Sequence, residues 1–421
     1  MDYQSRRQML KHAAYGALGV SVGAGLVGGK TVFAGENVKN GGTAKHVIYC
    51  YMAGGMSHID TWDPKPGTDV AGEFSPLETK TKGIRISDRL PNLAKQTEDM
   101  CIIRSMSSSQ GAHDRGNYLM HTSYQPLASV KHAGMGPWIH KLTGRINKKL
   151  PGSVVIGGMP RGSASGIFGS AYEPVNVGNA EAGLQNAKLS MKDETFSHRR
   201  SLLDRLDKNF RTRYPQEKVQ AYTRFYDEAV SLISSADVKA FDINREPASV
   251  KAKYGDSRFG QGCLLARRLV EAGVRFVEVT SGGWDTHQDN FDKLTDTLLP
   301  SFDQGIAALL GDLKSKGMLD DVLVVQTSEF GRTPKINERG GRDHYPKAFS
   351  VMLAGGGVKG GQVYGSSNEK GAAPKDNPVT PQQLNATIGK VLGISHKKEV
   401  YTKIGRPFNI SDNAPPITDI F

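Results

Sequence analysis

Cysteine is scarce. The 421 residues contain three, Cys50, Cys101 and Cys263, far apart in the chain. Each lies in an apolar segment (Ile48-Tyr49-Cys50-Tyr51, Met100-Cys101-Ile102-Ile103, Gly262-Cys263-Leu264-Leu265), so they read as small core hydrophobes. This excludes a disulfide framework, a CxxC metal clip and clustered thiolate ligands, and it suits folding in a reducing compartment. Long apolar runs are also missing. After residue 34 no stretch approaches the roughly 20 apolar residues that a membrane helix needs. There is no internal repeat. No arginine-rich stripe with interleaved aromatics occurs, so nucleic acid is not an expected partner. The run Gly355-Gly356-Gly357-Val358-Lys359-Gly360-Gly361 lacks the GxxxxGK[ST] order of a phosphate loop and reads as a turn between strands.

Positive charge is in excess. Lys and Arg number 54 against 42 Asp and Glu, a formal net charge of +12. Arg6, Arg7, Lys11 and Lys30 against Asp2 account for +3 of it, which leaves +9 beyond residue 34. Scattered basic residues favour anionic partners and equally describe a merely soluble basic protein. The two arginines stand in Ser5-Arg6-Arg7-Gln8-Met9-Leu10-Lys11, followed by a Gly/Ala-rich apolar stretch from Ala13 to about Gly29 and the small-x-small-like Val32-Phe33-Ala34. Residues 1–34 therefore read as a twin-arginine export signal, cleaved to leave a protein with no stable membrane span. No Cys lies near residue 34 to accept a lipid. The expected location is the periplasm, reached through the twin-arginine translocase.

Residues 35–421 are expected to form a single domain. Short apolar runs at His46–Met52, Met100–Arg104, Pro151–Ile156, Val274–Thr280, Asp321–Thr327 and Phe349–Ala354 read as strands. Leu90–Thr97, Asp114–Ser123, Met135–Leu142, Arg258–Ala272, Asn290–Lys316 (with Pro300 near a break) and Thr380–Leu392 read as helices, with Pro381 suited to a first turn. Residues 157–190 read as loops or small strands, and the charged, periodic stretch around 190–250 as a helical insertion. The tail from Arg406 reads as extended. Strand–helix alternation with wholly apolar strands predicts an α/β fold, a mainly parallel sheet covered on both faces.

Ligands of such a sheet bind beyond the carboxyl ends of the strands, and polar clusters fall there. They are Gly54-Gly55-Met56-Ser57-His58-Ile59-Asp60, Ser105 to Arg115, Ser281-Gly282-Gly283-Trp284-Asp285-Thr286-His287 and Ser328-Glu329-Phe330-Gly331-Arg332-Thr333. A fifth, Gly340-Gly341-Arg342-Asp343-His344-Tyr345, precedes a strand. Mixed carboxylates and imidazoles suit zinc, manganese or a similar divalent ion. In an extended segment Asp285 and His287 point to one side and could face one ion. Any one of these residues also reads as a turn former or a cap: Asp60 and Asp63 in Asx turns, Asp114 at a helix start. Their recurrence at successive strand ends is what favours a site.

The motifs Gly54 to Pro66, Gly283-Trp284-Asp285-Thr286-His287, Ser328 to Thr333 and Gly341-Arg342-Asp343-His344 resemble the exported bacterial family catalogued as domain of unknown function 1501, over nearly the whole chain. That family is related to the alkaline phosphatase and sulfatase superfamily. The resemblance implies a three-layer α/β/α sandwich with a metal site at the carboxyl edge. It implies Asp285 and His287 as an Asp/His ligand pair, Glu329 as a second acidic ligand, His344 as a late histidine ligand and Asp60 as the acidic ligand after the first strand. The chain departs from the superfamily in two places. Ala112 stands where a nucleophile is expected, so Ser107, Ser108, Ser109 or a metal-bound hydroxide would have to serve. No C-x-P-x-R or S-x-P-x-R motif is present, which excludes a standard formylglycine sulfatase.

The expectation is an exported metal-dependent hydrolase of phosphate or sulfate esters, on a small molecule or a polysaccharide. Asp60, Asp285, His287, Glu329, Asp343 and His344 are its metal-site candidates, Arg332 and Arg115 its anion-binding arginines, and His113 its general acid or base. The competing reading is a non-catalytic envelope or polysaccharide-binding protein on the same fold.

Overall fold

Strand β1, His46–Met52, is buried along its whole length. Its side chains alternate with period two: Ile48, Cys50 and Met52 enter one hydrophobic core, Val47, Tyr49 and Tyr51 another. A strand apolar on both faces must be covered on both, and β1 is. The computed structural model describes residues 42–185, 187, 191–214 and 217–421; the export leader expected over residues 1–34 lies outside the described residues.

The other strands of the main sheet are β2 (Met100–Met106), β3 (Ser153–Ile156), β4 (Val175–Val177), β5 (Phe276–Ser281), β6 (Val322–Thr327), β7 (Phe349–Ala354) and β8 (Gln362–Tyr364). The order across the sheet is β8-β2-β7-β6-β1-β5-β3-β4. Strand β1 runs parallel to both its neighbours, β5 and β6. Only β7 runs against its neighbours in this sheet. The longer helices are α1 (His113–Thr122), α2 (Met135–Thr143), α3 (Asp193–Arg213), α4 (Glu217–Ile233), α5 (Arg258–Glu271), α6 (Leu299–Ser315) and α7 (Pro381–Val391). Helices α5 and α6 bury Cys263, Leu269, Phe302 and Leu310 against the Ile48 face. Helices α1, α2 and α7 bury Met120, Trp138, Ile139 and Ile388 against the Tyr49 face. Each such side chain contributes at most about 1.5–3 kcal/mol of burial. The result is three layers, α/β/α.

Local chemistry explains where elements differ from expectation. The helix expected over Leu90–Thr97 is a single α turn, Pro91–Ala94, followed by a 3₁₀ turn at Thr97–Asp99. Its free amides at Asn92 and Leu93 are capped by a distant side chain, the Asp303 carboxylate of α6, at 3.0 and 2.8 Å. The helix expected over Asn290–Lys316 does not break at Pro300. A π turn at Leu294–Leu298 precedes α6 and places Pro300 in its first turn, where the missing N–H costs nothing. The N-terminus of α7 carries a full capping box between Thr380 and Gln383. Helices α3 and α4 fall between β4 and β5, and Leu202, Leu206 and Phe210 of α3 are exposed. The tail pairs Pro407–Phe408 with Val400–Tyr401, then buries Ile410, Ile417 and Ile420 in the second core. Among the described residues no helix is long and apolar enough to cross a membrane.

Orientation of the strands positions the site. The parallel strands β1, β2, β5 and β6 end at one edge. Because β7 is antiparallel, the segment before it, Arg342–Lys347, reaches that same edge.

Candidate metal centre

Two glycines open the site. Gly54 and Gly55 follow β1 with φ of +127° and +91°, a region side-chain-bearing residues rarely adopt. A Cβ on Gly54 would lie 2.4 Å from the Asp285 amide nitrogen. The loop after β5 therefore packs directly on the β1 turn. In that loop Trp284 and Thr286 are buried, while Asp285 is exposed and His287 partly so. The Trp284 indole packs on Phe302 and donates to Ser281 Oγ at 3.2 Å. Thr286 donates to Asn290 at 2.6 Å. These anchors turn Asp285 and His287 toward the same side.

Three imidazoles meet Asp285. His113, the first residue of α1, has Nδ1 2.7 Å from Glu329 Oε1. His287 has Nδ1 2.7 Å from Asp343 Oδ1. His344, in a two-residue strand paired with Gly331–Arg332, has Nδ1 2.9 Å from the Gly111 carbonyl. A carbonyl only accepts, and an ionised carboxylate only accepts, so Nδ1 carries the proton on each ring. Each neutral ring then presents a lone pair at Nε2. Nε2 of His287 lies 3.1 Å and Nε2 of His344 3.2 Å from Asp285 Oδ1, and the two nitrogens lie 3.0 Å from each other. Nε2 of His113 lies 3.3 Å from Asp285 Oδ2 but makes no directed hydrogen bond, and it is buried. Ligand atoms of His113, Asp285 and His344 all fall within 4.8 Å of one another. Lone pairs facing each other at this range repel unless a proton or a metal cation lies among them. The donor set, three imidazole nitrogens and a carboxylate, fits zinc or manganese.

Behind this layer stands a second one. Glu329 is 1% exposed; its Oε1 also accepts from the Gly54 amide at 2.8 Å, and its Oε2 from Tyr51 at 3.1 Å and Ser328 at 3.0 Å. Arg332 is fully buried, donating to the carbonyls of Gly54, Gly55 and Arg342 and to Asp285 Oδ1. Burial alone would raise the Asp285 carboxyl, but the Arg332 guanidinium, with His344 and His113, holds it well below the usual carboxylate range. The hydrogen bond to Glu329 raises His113, whereas burial lowers His344. The His287 hydrogen bond lowers Asp343.

The remaining expected residues lie elsewhere. Asp60 is fully buried and held by Arg342 through Nε at 2.8 Å and Nη2 at 2.9 Å, with Ser57 at 2.6 Å and Asn290 at 3.0 Å. Its carboxylate thus anchors the loop carrying Asp343 and His344, and no described hydrogen bond joins it to the imidazoles. Ser107, Ser108 and Ser109 lie between β2 and α1. Ser108 Oγ accepts from the Gln110 amide at 3.2 Å, and Ser109 Oγ from Gln125 at 3.0 Å. Arg115 is exposed on the first turn of α1. Tyr51, Asn117, Ser328 and Asn337 belong to the site without having been expected there. The Tyr51 hydroxyl lies between Asn117 and Glu329 Oε2, 3.1 Å from the latter, and Asn337 donates to Asp343 at 3.2 Å. Asn117 stands four residues after His113, on the same helix face, a spacing visible in the sequence.

An α/β/α sandwich with an imidazole and carboxylate cluster at the carboxyl edge of its sheet defines the class of this protein. The chain belongs to the family described as protein of unknown function (DUF1501), whose profile matches residues 44–421. No curated protein sequence matches it. Among solved structures it is similar to the PsFucS1 sulfatase from Pseudoalteromonas sp., at 14% identity over 97% of this chain and 77% of that one, with a TM-score of 0.37. A protein of the alkaline phosphatase superfamily from Vibrio parahaemolyticus is similar at 10% identity over 96% and 78% of the two chains, with a TM-score of 0.40. A mutant of TAB5 alkaline phosphatase with bound Mg is similar at 16% identity over 77% and 94%, with a TM-score of 0.36.

Proposed function

We propose that this protein is an exported metal-dependent hydrolase of phosphate or sulfate esters, working in the periplasm after passage through the twin-arginine translocase. The observation that carries the reading is the set of three imidazoles, each fixed through Nδ1, whose Nε2 atoms converge on Asp285. His113, Asp285, His287 and His344 would hold a divalent metal such as zinc or manganese. When bound there, the ion polarises an ester oxygen and lowers the pKa of water. The residues around it do the rest. Glu329 and Asp343 keep the protons of His113 and His287 on Nδ1 and fix the ring planes. Arg332 keeps Asp285 ionised. The solvent-facing side of Asp285, 46% exposed, is where an anionic ester on a small molecule or polysaccharide would enter.

The test is metal analysis of the purified chain, with turnover measured on p-nitrophenyl phosphate, p-nitrophenyl sulfate and sulfated or phosphorylated oligosaccharides. Bound metal, a chelator-sensitive melting transition and turnover lost in Asp285→Ala and His287→Ala are expected. A chain that binds no metal and melts identically in chelator would not be this enzyme. The second reading, a polysaccharide-binding protein without turnover, is favoured by one observation: the Ser108 and Ser109 hydroxyls accept from Gln110 and Gln125, in the loops either side of α1. It requires that Asp285→Ala and His287→Ala leave polysaccharide binding intact and that no ester is turned over.

A further inference from the structure

A cluster this rich in carboxylates could in principle gather two ions, so the number is a separate question from the presence of a metal. It is answered by where the remaining lone pairs go. A carboxylate offers about four acceptor sites. Glu329 Oε1 is taken by the Gly54 amide and His113, and its Oε2 is shut in behind the Tyr51 and Ser328 hydroxyls. Asp60 is closed by the two-pronged contact from Arg342 together with Ser57 and Asn290. Asp343 Oδ1 is taken by His287 and Asn337, on the far side of the His287 ring from the cluster. Of these carboxylates only Asp285 has oxygens facing the imidazole Nε2 atoms, and the other flank of its Oδ1 is filled by the buried Arg332 guanidinium.

Charge points the same way. Asp285, Glu329 and Asp343 bring three negative charges, and Arg332 brings one positive. With neutral imidazoles the set carries a net charge of minus two, which a single divalent ion neutralises. A second would leave plus two in a site whose floor is wholly buried, an arrangement that low dielectric strongly disfavours.

We infer that the centre binds one divalent ion per chain, and that Arg332 is a built-in cation standing where a second ion would otherwise bridge to Asp285. This rests on the proposal that His113, Asp285, His287 and His344 hold metal. It makes the site mononuclear and gives Arg332 a charge role from beneath rather than a direct grip on substrate.

The test uses the full chain without an affinity tag, loaded with Mn²⁺ and freed of excess by gel filtration, then measured by elemental analysis and electron paramagnetic resonance. One manganese per chain with the six-line spectrum of an isolated ion is expected. Two per chain with a spin-coupled spectrum overturns the inference and leaves the metal reading standing. No retained manganese, with zinc and cobalt equally unbound, removes the metal reading itself. Arg332→Gln, checked for folding by circular dichroism, is expected to bind Mn²⁺ about tenfold or more tightly, because a nearby positive charge is gone. Unchanged or weaker affinity in a folded variant would overturn the charge role. Should that variant not fold, Arg332→Lys takes its place: one ion per chain, at affinity within about tenfold of the parent, is expected, and two ions per chain would count against the role.

Discussion

Individual carboxylates in this protein have distinct tasks, set by what they face. Asp343 is 49% exposed and orients His287 from behind. Replacing it by Asn removes the fixed charge behind the ring, so Asp343→Asn should weaken metal affinity by about 10–100-fold. It should leave the melting transition of the metal-free chain within about 0.5 kcal/mol of the parent. Isothermal titration and thermal melts separate the two, and equal metal affinity would show that Asp343 is a surface residue only. Asp60 is the opposite case. Its pair with Arg342 is 0% exposed on both sides, so Asp60→Asn leaves a buried guanidinium unmatched and should cost about 3–5 kcal/mol in urea unfolding. Metal affinity of the folded fraction should stay within a few-fold; its loss would make Asp60 a ligand after all. In the sequence both aspartates look alike, each within two residues of a histidine in a glycine-bearing loop. What separates them is the partner each meets, the His287 ring for Asp343 and the Arg342 guanidinium, 282 residues away, for Asp60. Position at a strand end is legible; the division into side chains that face the imidazole cluster and side chains that support it is not, because it depends on which oxygen is already occupied.

Elements were most legible where their signal was local. The strands His46–Met52 and Phe349–Ala354 occupy the expected residues because continuous apolar runs ending in glycines leave no alternative. Helix α7 begins where Thr380-Pro381 says it should, with Thr380 accepting from the Gln383 amide at 3.3 Å and Gln383 returning to the Thr380 amide at 3.0 Å. Thr380→Ala removes that cap and should cost about 1 kcal/mol, whereas Thr380→Ser should be nearly neutral. Chemical denaturation of both variants checks this, and equal losses would mean that the packing of Pro381 starts the helix. The segment after Leu90 differs from its expected helix for the converse reason. Its first amides are capped by Asp303, more than 200 residues away in the chain, so no local pattern shows what holds the turn. The antiparallel direction of β7 is likewise a tertiary fact, yet it alone brings His344 to the carboxyl edge.

At the scale of the whole molecule, the layer of helices opposite α5 and α6 makes stability depend on pH. His132 is 4% exposed, stacked on Tyr124 with centroids 4.4 Å apart. Burial, aided by the charge of Arg406, pushes its imidazole down to about 4. His140, in α2, accepts from Arg145 Nε at 3.2 Å. Burial and the Arg145 charge push it down to about 3. Both rings are neutral in the folded chain at pH values where an unfolded chain, with imidazoles near 6.5, is protonated. The unfolded state therefore binds more protons below pH 6.5. The stability these rings contribute is complete above that value and is lost as pH falls from about 6.5 toward 4. Each ring accounts for a loss of about 2 kcal/mol at pH 5. His140→Gln keeps an acceptor for Arg145 but cannot ionise. Its stability in guanidinium unfolding should drop less than that of the parent between pH 7.5 and pH 5, by about 1–2 kcal/mol. The comparison isolates the ring because every carboxylate titrates alike in both proteins. If the two proteins lose equal stability over that interval, His140 is protonated in the folded chain, and the packing of Arg145 against it must be other than a hydrogen bond into a neutral imidazole.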